Sequence, residues 1–413
     1  MIRILESSAA AGLLRRRAAR FSDAEAIVRP ILEDVRKRGD KALLEYARKF
    51  DKLERKGVAV PQAELDAAAG RLSPQFRKAV QASAKNVRAY AKLQLPVAKK
   101  AQPAPGLRLS QIVQPLDSVA AYIPSGRYPL PSTVIMTVAP AKVAGVPNIM
   151  VATPRPVDEI FGTASILKAT HVFEMGGAQA IAAFAYGTRT VPRADRIVGP
   201  GNIYVAAAKK LLAGEVGIDF VAGPTEILII ASDGDPRWLA ADMLAQAEHD
   251  VEASAILLTT SKRLAKAVAA EIEVQLATLP TAPTARKAID KNSAILLVAS
   301  DEEALELSNR FAPEHLSLHD ASLLGGVRHA GSVFLGPTSP EAAGDYASGP
   351  NHVLPTSGAA RLRGGLSAAD YVKVISVQQL SSKALSRLSP AITILARAEG
   401  LEAHARSVEV RRG

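Results

Sequence analysis

Four short stretches of this chain carry side chains whose types and spacing suit metal binding or proton transfer. In ADMLAQAEHD (residues 241–250) Gln246 and His249 stand three apart. Asp235-Pro236 upstream offers a cap and a pre-set first residue, so a helix is expected from Pro236 to about Glu248. A spacing of three brings both side chains to one face just as that helix ends, with Glu248 pointing elsewhere. The pair reads either as a solvated helix end or as half of a metal site. In RFAPEHLSL (310–318) a helix from Asp301 must stop near Ala312, because Pro313 disfavours helix in the residue before it. Glu314 and His315 then fall in the turn entering a strand. An adjacent carboxylate and imidazole suit proton transfer, since imidazole titrates near neutrality; an exposed turn is the alternative. SPEAAGDYASGPNHVLPTSG (339–358) reads mostly as a long loop, carrying Asp345 as a candidate metal ligand and His352 as a candidate substrate contact. AEGLEAHARS places Glu399 and His404 near the C-terminus, where a lone histidine is usually surface.

The elements that must position these groups change texture along the chain. The first hundred residues read as packing helices. Ser22-Asp23-Ala24-Glu25 has the form of a capping box, with Ile27, Val28, Ile31, Leu32 and Val35 following at helical spacing until Gly39. Ser73-Pro74 opens a second helix that stops before Pro96. From about residue 107, short β-branched runs alternate with helical segments: NIMVAT, HVFEMG, RIVGP, EILIIAS, SAILLTT, SAILLVAS and SVFLGP. Apolar runs without alternation predict strands buried on both faces, hence parallel α/β sheets. Ligands of such sheets bind beyond the carboxyl ends of the strands, where the glycine-rich turns fall. GPGNIYVAAAKK (199–210) and MGGAQAIAAFAYG (175–187) each follow a strand and open a helix, a place where backbone amides can hold phosphate. Neither matches G-x-G-x-x-G, because Tyr204 stands where the third glycine would be. The last forty or so residues return to helix.

Bulk properties narrow the function. A chain of 413 residues implies two or more domains, and 48% hydrophobic residues are ample for their cores. No apolar run approaches the roughly 18 residues of a membrane span. The Arg15-Arg16-Arg17 triplet follows the first apolar residues, the reverse of a secretory signal, so a cytoplasmic enzyme is expected. The net charge of +11 is dispersed and aromatics are 4%, which disfavours a nucleic-acid platform. The chain has no cysteine, which excludes thiolate metal sites and a covalent thiol route for oxidising aldehydes.

In this order, VAAYIPSGRYPLPSTVIM, EMGGAQAIAA, IVGPGNIYVAAAKK, AGPTEILIIAS, LAQAEH, NRFAPEHLSL, SPEAAGDYASGPNHVLPT and GLEAHARSV closely resemble the histidinol dehydrogenases. These are zinc-dependent enzymes that end histidine biosynthesis. The likeness covers nearly the whole chain and includes RGDKALLEYARKFD near its start. It implies an α/β fold of two incomplete Rossmann-like parallel-sheet domains with small helical N- and C-terminal pieces. The implied division is a helical arm (1–20), a first domain (21–121 and 227–366) with most zinc and acid–base residues, a second (122–226) with the NAD⁺ contacts, and a helical tail (367–413) reaching the partner's site. One Zn²⁺ per subunit would be held by Gln246, His249 and Asp345 with His404 from the neighbour of an intertwined homodimer. Glu314 and His315 would be the acid–base pair. Thr225, His352 and Glu399 would join His315 and the zinc ligands around L-histidinol. Tyr122, Gln179 and Asn202 would contact NAD⁺. Ser125 in YIPSG departs from the glycine common in the family, and Thr225 keeps the hydroxyl where serine also occurs. Two other readings follow from the same residues: a paralogous zinc and NAD⁺ dehydrogenase for another small alcohol or diol, and a non-catalytic basic binding protein on the same scaffold.

Overall fold

Strands that are apolar at every position need cover on both faces, and in the computed structural model two parallel sheets have it. The structure describes residues 1–9, 12–13, 21–125 and 128–411. One sheet has five strands, in spatial order His171–Glu174, Asn148–Thr153, Ser118–Tyr122, Arg196–Val198 and Gly217–Ile218, all parallel. The other has six, in the order Arg3–Glu6, Ala294–Leu297, Ser254–Thr259, Glu226–Ile230, His315–Leu318 and Ser332–Leu335, again all parallel. In Glu226–Ile230, Ile227 and Ile229 join the core on one face while Leu228 and Ile230 join the core on the other. Each such side chain stabilises the fold by roughly 1.5–3 kcal/mol, so a one-residue slip in register is strongly opposed.

The helices divide between the sheets in a way that corrects the expected domain boundaries. Phe21–Arg38 lays Val28 and Leu32 against Phe173 and Ile181 on one face of the five-stranded sheet. Gln62–Arg71 and Pro74–Gln94 lay Leu65, Val80 and Val87 against Val119 and Ile149 on the opposite face. Residues 21–121 therefore belong with the five-stranded sheet and not with 227–366. The six-stranded sheet is already covered by Pro236–Ala247, Lys262–Leu276 and Ala282–Asn292 on one face, and by Asp301–Phe311 on the other. Val353, Leu366 and Tyr371 return to the five-stranded sheet, so the chain crosses back near residue 350.

Both terminal pieces differ from the expected helical forms. Arg3–Glu6 is an edge strand, pairing Ile4 with Ile295, because its alternating apolar residues fit a sheet edge. Residues 10–11 and 14–20, including the arginine triplet, lie outside the described residues. Ser22 sits inside its helix with its hydroxyl on Asp23 and does not cap it. The tail begins with a strand, Val372–Leu380, paired antiparallel with Leu107–Pro115, which in turn pairs with Lys99–Ala104. Helices Ser382–Ala398 and Glu402–Glu409 follow. This tail leaves Val374, Ile375, Ile394, Leu395, Leu401 and Val410 exposed.

Candidate active site

A cavity of about 1190 Å³ lies where the carboxyl edge of the five-stranded sheet meets the amino edge of the six-stranded one. Pro200 to Ile203, just beyond the strand Arg196–Val198, line one side. Thr225, Glu314 and His315, which begin or precede their strands, line the other. The carboxyl-end rule thus holds for one sheet and fails for the other. Glu314 and His315 stand at the amino end of their strand because the second sheet turns its opposite edge to the cleft.

Local sequence explains each placement. The helix Asp301–Phe311 is capped by Ser300 and stopped at Ala312, whose left-handed backbone (φ 51°) precedes Pro313. Glu314 and His315 follow at once, both buried. Gly331 runs beside them, and a Cβ there would lie 2.5 Å from the Glu314 carbonyl oxygen, so only glycine permits the approach. The helix Pro236–Ala247 is capped by Asp235 and directs its C-terminal end, the negative end of its dipole, at the same place. There Gln246 is fully buried, while His249 follows the helix and reaches the cavity. Within 339–358 the short helix Glu341–Tyr346 turns Glu341 and Asp345, four apart, onto one face.

These side chains converge. His249 Nε2 is 3.7 Å from Asp345 Oδ2, and His315 Nε2 is 3.6 Å from Asp345 Oδ1. His315 Nδ1 is 3.7 Å from Glu314 Oε2, 3.8 Å from Glu341 Oε1 and 3.3 Å from the Glu226 carbonyl oxygen. That carbonyl can only accept, so Nδ1 carries the hydrogen and Nε2 the lone pair in the neutral ring. Nε2 is buried and has no hydrogen-bond partner among the described residues. Glu314 Oε2 accepts from the Thr225 hydroxyl at 2.5 Å and from Glu226 N–H at 2.8 Å. Gln246 satisfies its surroundings when its nitrogen donates to the two Glu341 oxygens at 2.8 and 3.0 Å and its oxygen accepts from Thr225 at 2.6 Å. That nitrogen is also 3.3 Å from His315 Nδ1, and with both amide hydrogens on Glu341 the Nδ1 hydrogen stays on the Glu226 carbonyl. Thr225 has one proton for two neighbours, and Glu314, pushed up to about 7 by burial, can bring its own. His352 donates from Nδ1 to the Asp345 backbone carbonyl at 2.9 Å and accepts at Nε2 from Thr133 at 3.2 Å. Burial holds its pKa below the usual imidazole range.

The cluster buries three carboxyl groups around one imidazole. Burial pushes Glu341 up to about 8. Burial also opposes the charge on Asp345, but His315, His352 and His249 around it hold its pKa below the usual carboxylate range. For His315 burial works against protonation, yet Glu341, Glu314 and Asp345 outweigh it and raise the ring to about 10. Among the described residues none of these three carboxylates pairs with lysine or arginine. One ligand atom each from His249, Glu341 and Asp345 lies within 4.8 Å of the others. Imidazole nitrogen with carboxylate oxygen and no sulfur fits a divalent cation of the zinc type, whose charge would let the raised carboxyls ionise.

Seven of the expected site residues thus meet in one place: Thr225, Gln246, His249, Glu314, His315, Asp345 and His352. Asn202 lines the cavity and caps the helix Ile203–Leu212 through Tyr204 and Val205 N–H. Tyr122 and Gln179 are buried around the start of the helix Gly177–Tyr186, Tyr122 accepting from Gly177 N–H and Gln179 donating to Asp51. Asp51 also accepts from Gly176 N–H, so a carboxylate already occupies the helix start that the sequence offered to phosphate. Glu399, just past the helix Ser382–Ala398, and His404, on the helix Glu402–Glu409, are exposed and do not line the cavity of their own chain. Ser125 is buried, and its hydroxyl has no partner among the described residues. Sequence reading missed Glu341, although its spacing of four from Asp345 was a usable signal.

Two parallel sheets meeting at a cleft that holds a buried carboxylate–imidazole pair define an α/β protein with a site suited to proton transfer. The family model for histidinol dehydrogenase matches residues 14–412. A histidinol dehydrogenase from Bacillus thuringiensis subsp. konkukian is 46% identical over 394 residues, 94% of this chain and 92% of that protein. One from Geobacter metallireducens is 45% identical over 412 residues, 97% of this chain and 94% of its own. The crystal structure of a histidinol dehydrogenase from Elizabethkingia anophelis superposes with a TM-score of 0.95 at 36% identity, covering 99% of this chain and 98% of that one. The chain belongs to the histidinol dehydrogenase family.

Proposed function

We propose that the protein oxidises L-histidinol to L-histidine by way of the aldehyde, using two NAD⁺ and one Zn²⁺ per subunit. The observation that carries this reading is the buried set of Glu314, Glu341 and Asp345, held around His315 with no lysine or arginine among the described residues to balance the three when all are ionised. A divalent cation supplies that balance, and Gln246, His249 and Asp345 would hold it, with the partner's His404 completing the set. When bound, the cation would fix the substrate through its imidazole and amine nitrogens, and NAD⁺ would accept hydride at each oxidation. His315 Nε2 takes the proton of the substrate hydroxyl, since hydride leaves more readily from the alkoxide. Glu314 then takes a proton from the water that adds to the aldehyde, while His315 returns its proton to the carbonyl oxygen, which frees Nε2 again. His315 takes a proton from the resulting hydrate in the second oxidation. Nδ1–H on the Glu226 carbonyl keeps Nε2 as the nitrogen that gains and loses the proton. With added positive charge beside Asp345, the carboxylates no longer hold His315 protonated, and the ring becomes available as a base. Hydrate oxidation needs no thiol, in agreement with a chain free of cysteine.

NAD⁺ would lie along Asn202, with Tyr122 and Gln179 behind it. The working unit would be a homodimer: the exposed apolar residues of the C-terminal tail are the kind of patch a second copy covers, and the partner's Glu399 would enter the cleft with the partner's His404. The test is NADH formation with L-histidinol before and after chelation, beside diols lacking the imidazole. Two NADH per histidinol, loss on chelation and recovery with zinc are expected. Turnover indifferent to chelation, or equal rates with simple diols, would reject the proposal.

A further inference from the structure

The helix Ile203–Leu212 buries Val205, Ala206, Ala207, Ala208 and Leu212, and among them the ammonium of Lys209, which is 3% exposed. Lys209 Nζ donates to the Gly199 carbonyl oxygen at 3.0 Å and pairs with Asp219 Oδ1. The other carboxylate oxygen of Asp219 accepts from Gly199 N–H at 2.8 Å, and Oδ1 also accepts from Phe220 N–H at 2.6 Å. Both backbone groups of Gly199 are therefore held by one ion pair. Gly199 itself has φ +106°, and a Cβ there would lie 2.3 Å from the Tyr122 carbonyl oxygen.

Each partner sits at the root of a segment lining the cleft. Beyond Gly199 the chain runs through Pro200 and Gly201 to Asn202, on the cofactor side. Beyond Asp219 it runs to Thr225, whose hydroxyl donates to Glu314. Arg363 steadies the second segment by donating to the Asp219 carbonyl at 2.8 Å and stacking on Phe220 at 5.2 Å. A buried ion pair is weak evidence of stabilisation, because its desolvation often cancels its attraction and an apolar pair packs as well. What this pair does that an apolar pair cannot is grip a glycine by both of its peptide groups.

We propose that Lys209 and Asp219 are positioning residues: their buried pair sets the cofactor loop at Gly199–Asn202 against the segment that carries Thr225 to the acid–base pair. This rests on the reading of the cleft as an NAD⁺ site. The test uses the full-length, zinc-loaded protein and two variants, Lys209→Met and the charge-balanced Lys209→Met/Asp219→Asn. KM and Kd for NAD⁺, KM for histidinol, zinc per subunit and Tm are measured for each. In both variants KM and Kd for NAD⁺ should rise by about tenfold or more, with zinc content and KM for histidinol within about twofold of wild type. A purely structural pair would lower Tm and the active fraction while leaving both KM values unmoved, and that result overturns the proposal. So does a double variant whose NAD⁺ affinity returns to the wild-type value, since charge balance alone would then suffice. If Lys209→Met does not fold, the double variant decides. Wild-type protein that reduces no NAD⁺ would sink the functional reading and this one together. An active wild type with unmoved constants in the variants sinks only the positioning role.

Discussion

Replacing Glu314 with glutamine separates the two oxidations. The Glu314→Gln side chain keeps its shape, and its oxygen can still accept from Thr225 and Glu226 N–H, which now meet Oε2 at 2.5 and 2.8 Å. The fold therefore loses little. The carboxyl is pushed by burial from 4.5 to about 7. A group raised in this way favours the folded state while protonated and costs stability as pH climbs from the unfolded pKa through the folded one. The full difference is about 3 kcal/mol at most above pH 7. In the metal-free protein Glu314→Gln should thus be at least as stable as wild type at pH 8 and lose this advantage at pH 4. Catalysis should suffer in the water-adding half alone, by the 10²- to 10⁴-fold typical of a lost general base, or about 3–5 kcal/mol of barrier. Single-turnover absorbance at 340 nm shows the split. Wild type should yield two NADH per histidinol, whereas the variant yields one promptly and the second slowly, with the aldehyde accumulating. The wild-type rate of aldehyde oxidation should rise with pH as Glu314 ionises, and the variant should lack that limb. A variant that delivers two NADH at wild-type rates with an unchanged profile would refute the assignment of Glu314 as the base toward water.

Other substitutions test other parts of the cluster. His315→Ala should cut turnover by at least about 10²-fold while zinc per subunit, read by elemental analysis, stays near wild type. Glu341→Gln, which disturbs the contacts holding the Gln246 amide, should weaken zinc retention about tenfold in a chelator competition. Gly331→Ala should lower stability by about 1–3 kcal/mol in denaturant unfolding, because the new methyl meets the Glu314 carbonyl. Asp242, one turn before Gln246, is pushed up to about 6 by burial. Asp242→Asn should therefore raise the Tm of metal-free protein at pH 8 and give no gain at pH 4, since the cost falls only on the ionised folded form.

Much of this architecture is written locally, and what is not depends on tertiary choice. The helix 236–247, the stop before Pro313 and the strands from residue 148 onward follow from caps, proline and apolar runs, so the structure matches expectation there. Which sheet the helices of residues 21–94 cover is not local: their apolar stripes would suit either, and only the prior cover of the six-stranded sheet decides. VKVISVQQL lacks a legible strand pattern, because its apolar residues fall on both faces and nearly all of them are exposed. Gln246, His249 and Asp345 were legible only as a set, through the family likeness, since a Gln–His spacing of three is weak alone. Glu341 escaped because glutamate in a glycine- and proline-rich loop looks solvated until the short helix turns it inward.

The most direct test is anomalous diffraction at the zinc edge from crystals of the full chain grown with zinc. One peak per subunit within bonding distance of Gln246, His249 and Asp345, with a histidine of a second copy completing the shell, is the expected result. A map with no peak beside Asp345, or with the cation bound away from the cleft, would contradict the reading of the buried carboxylates as a metal centre.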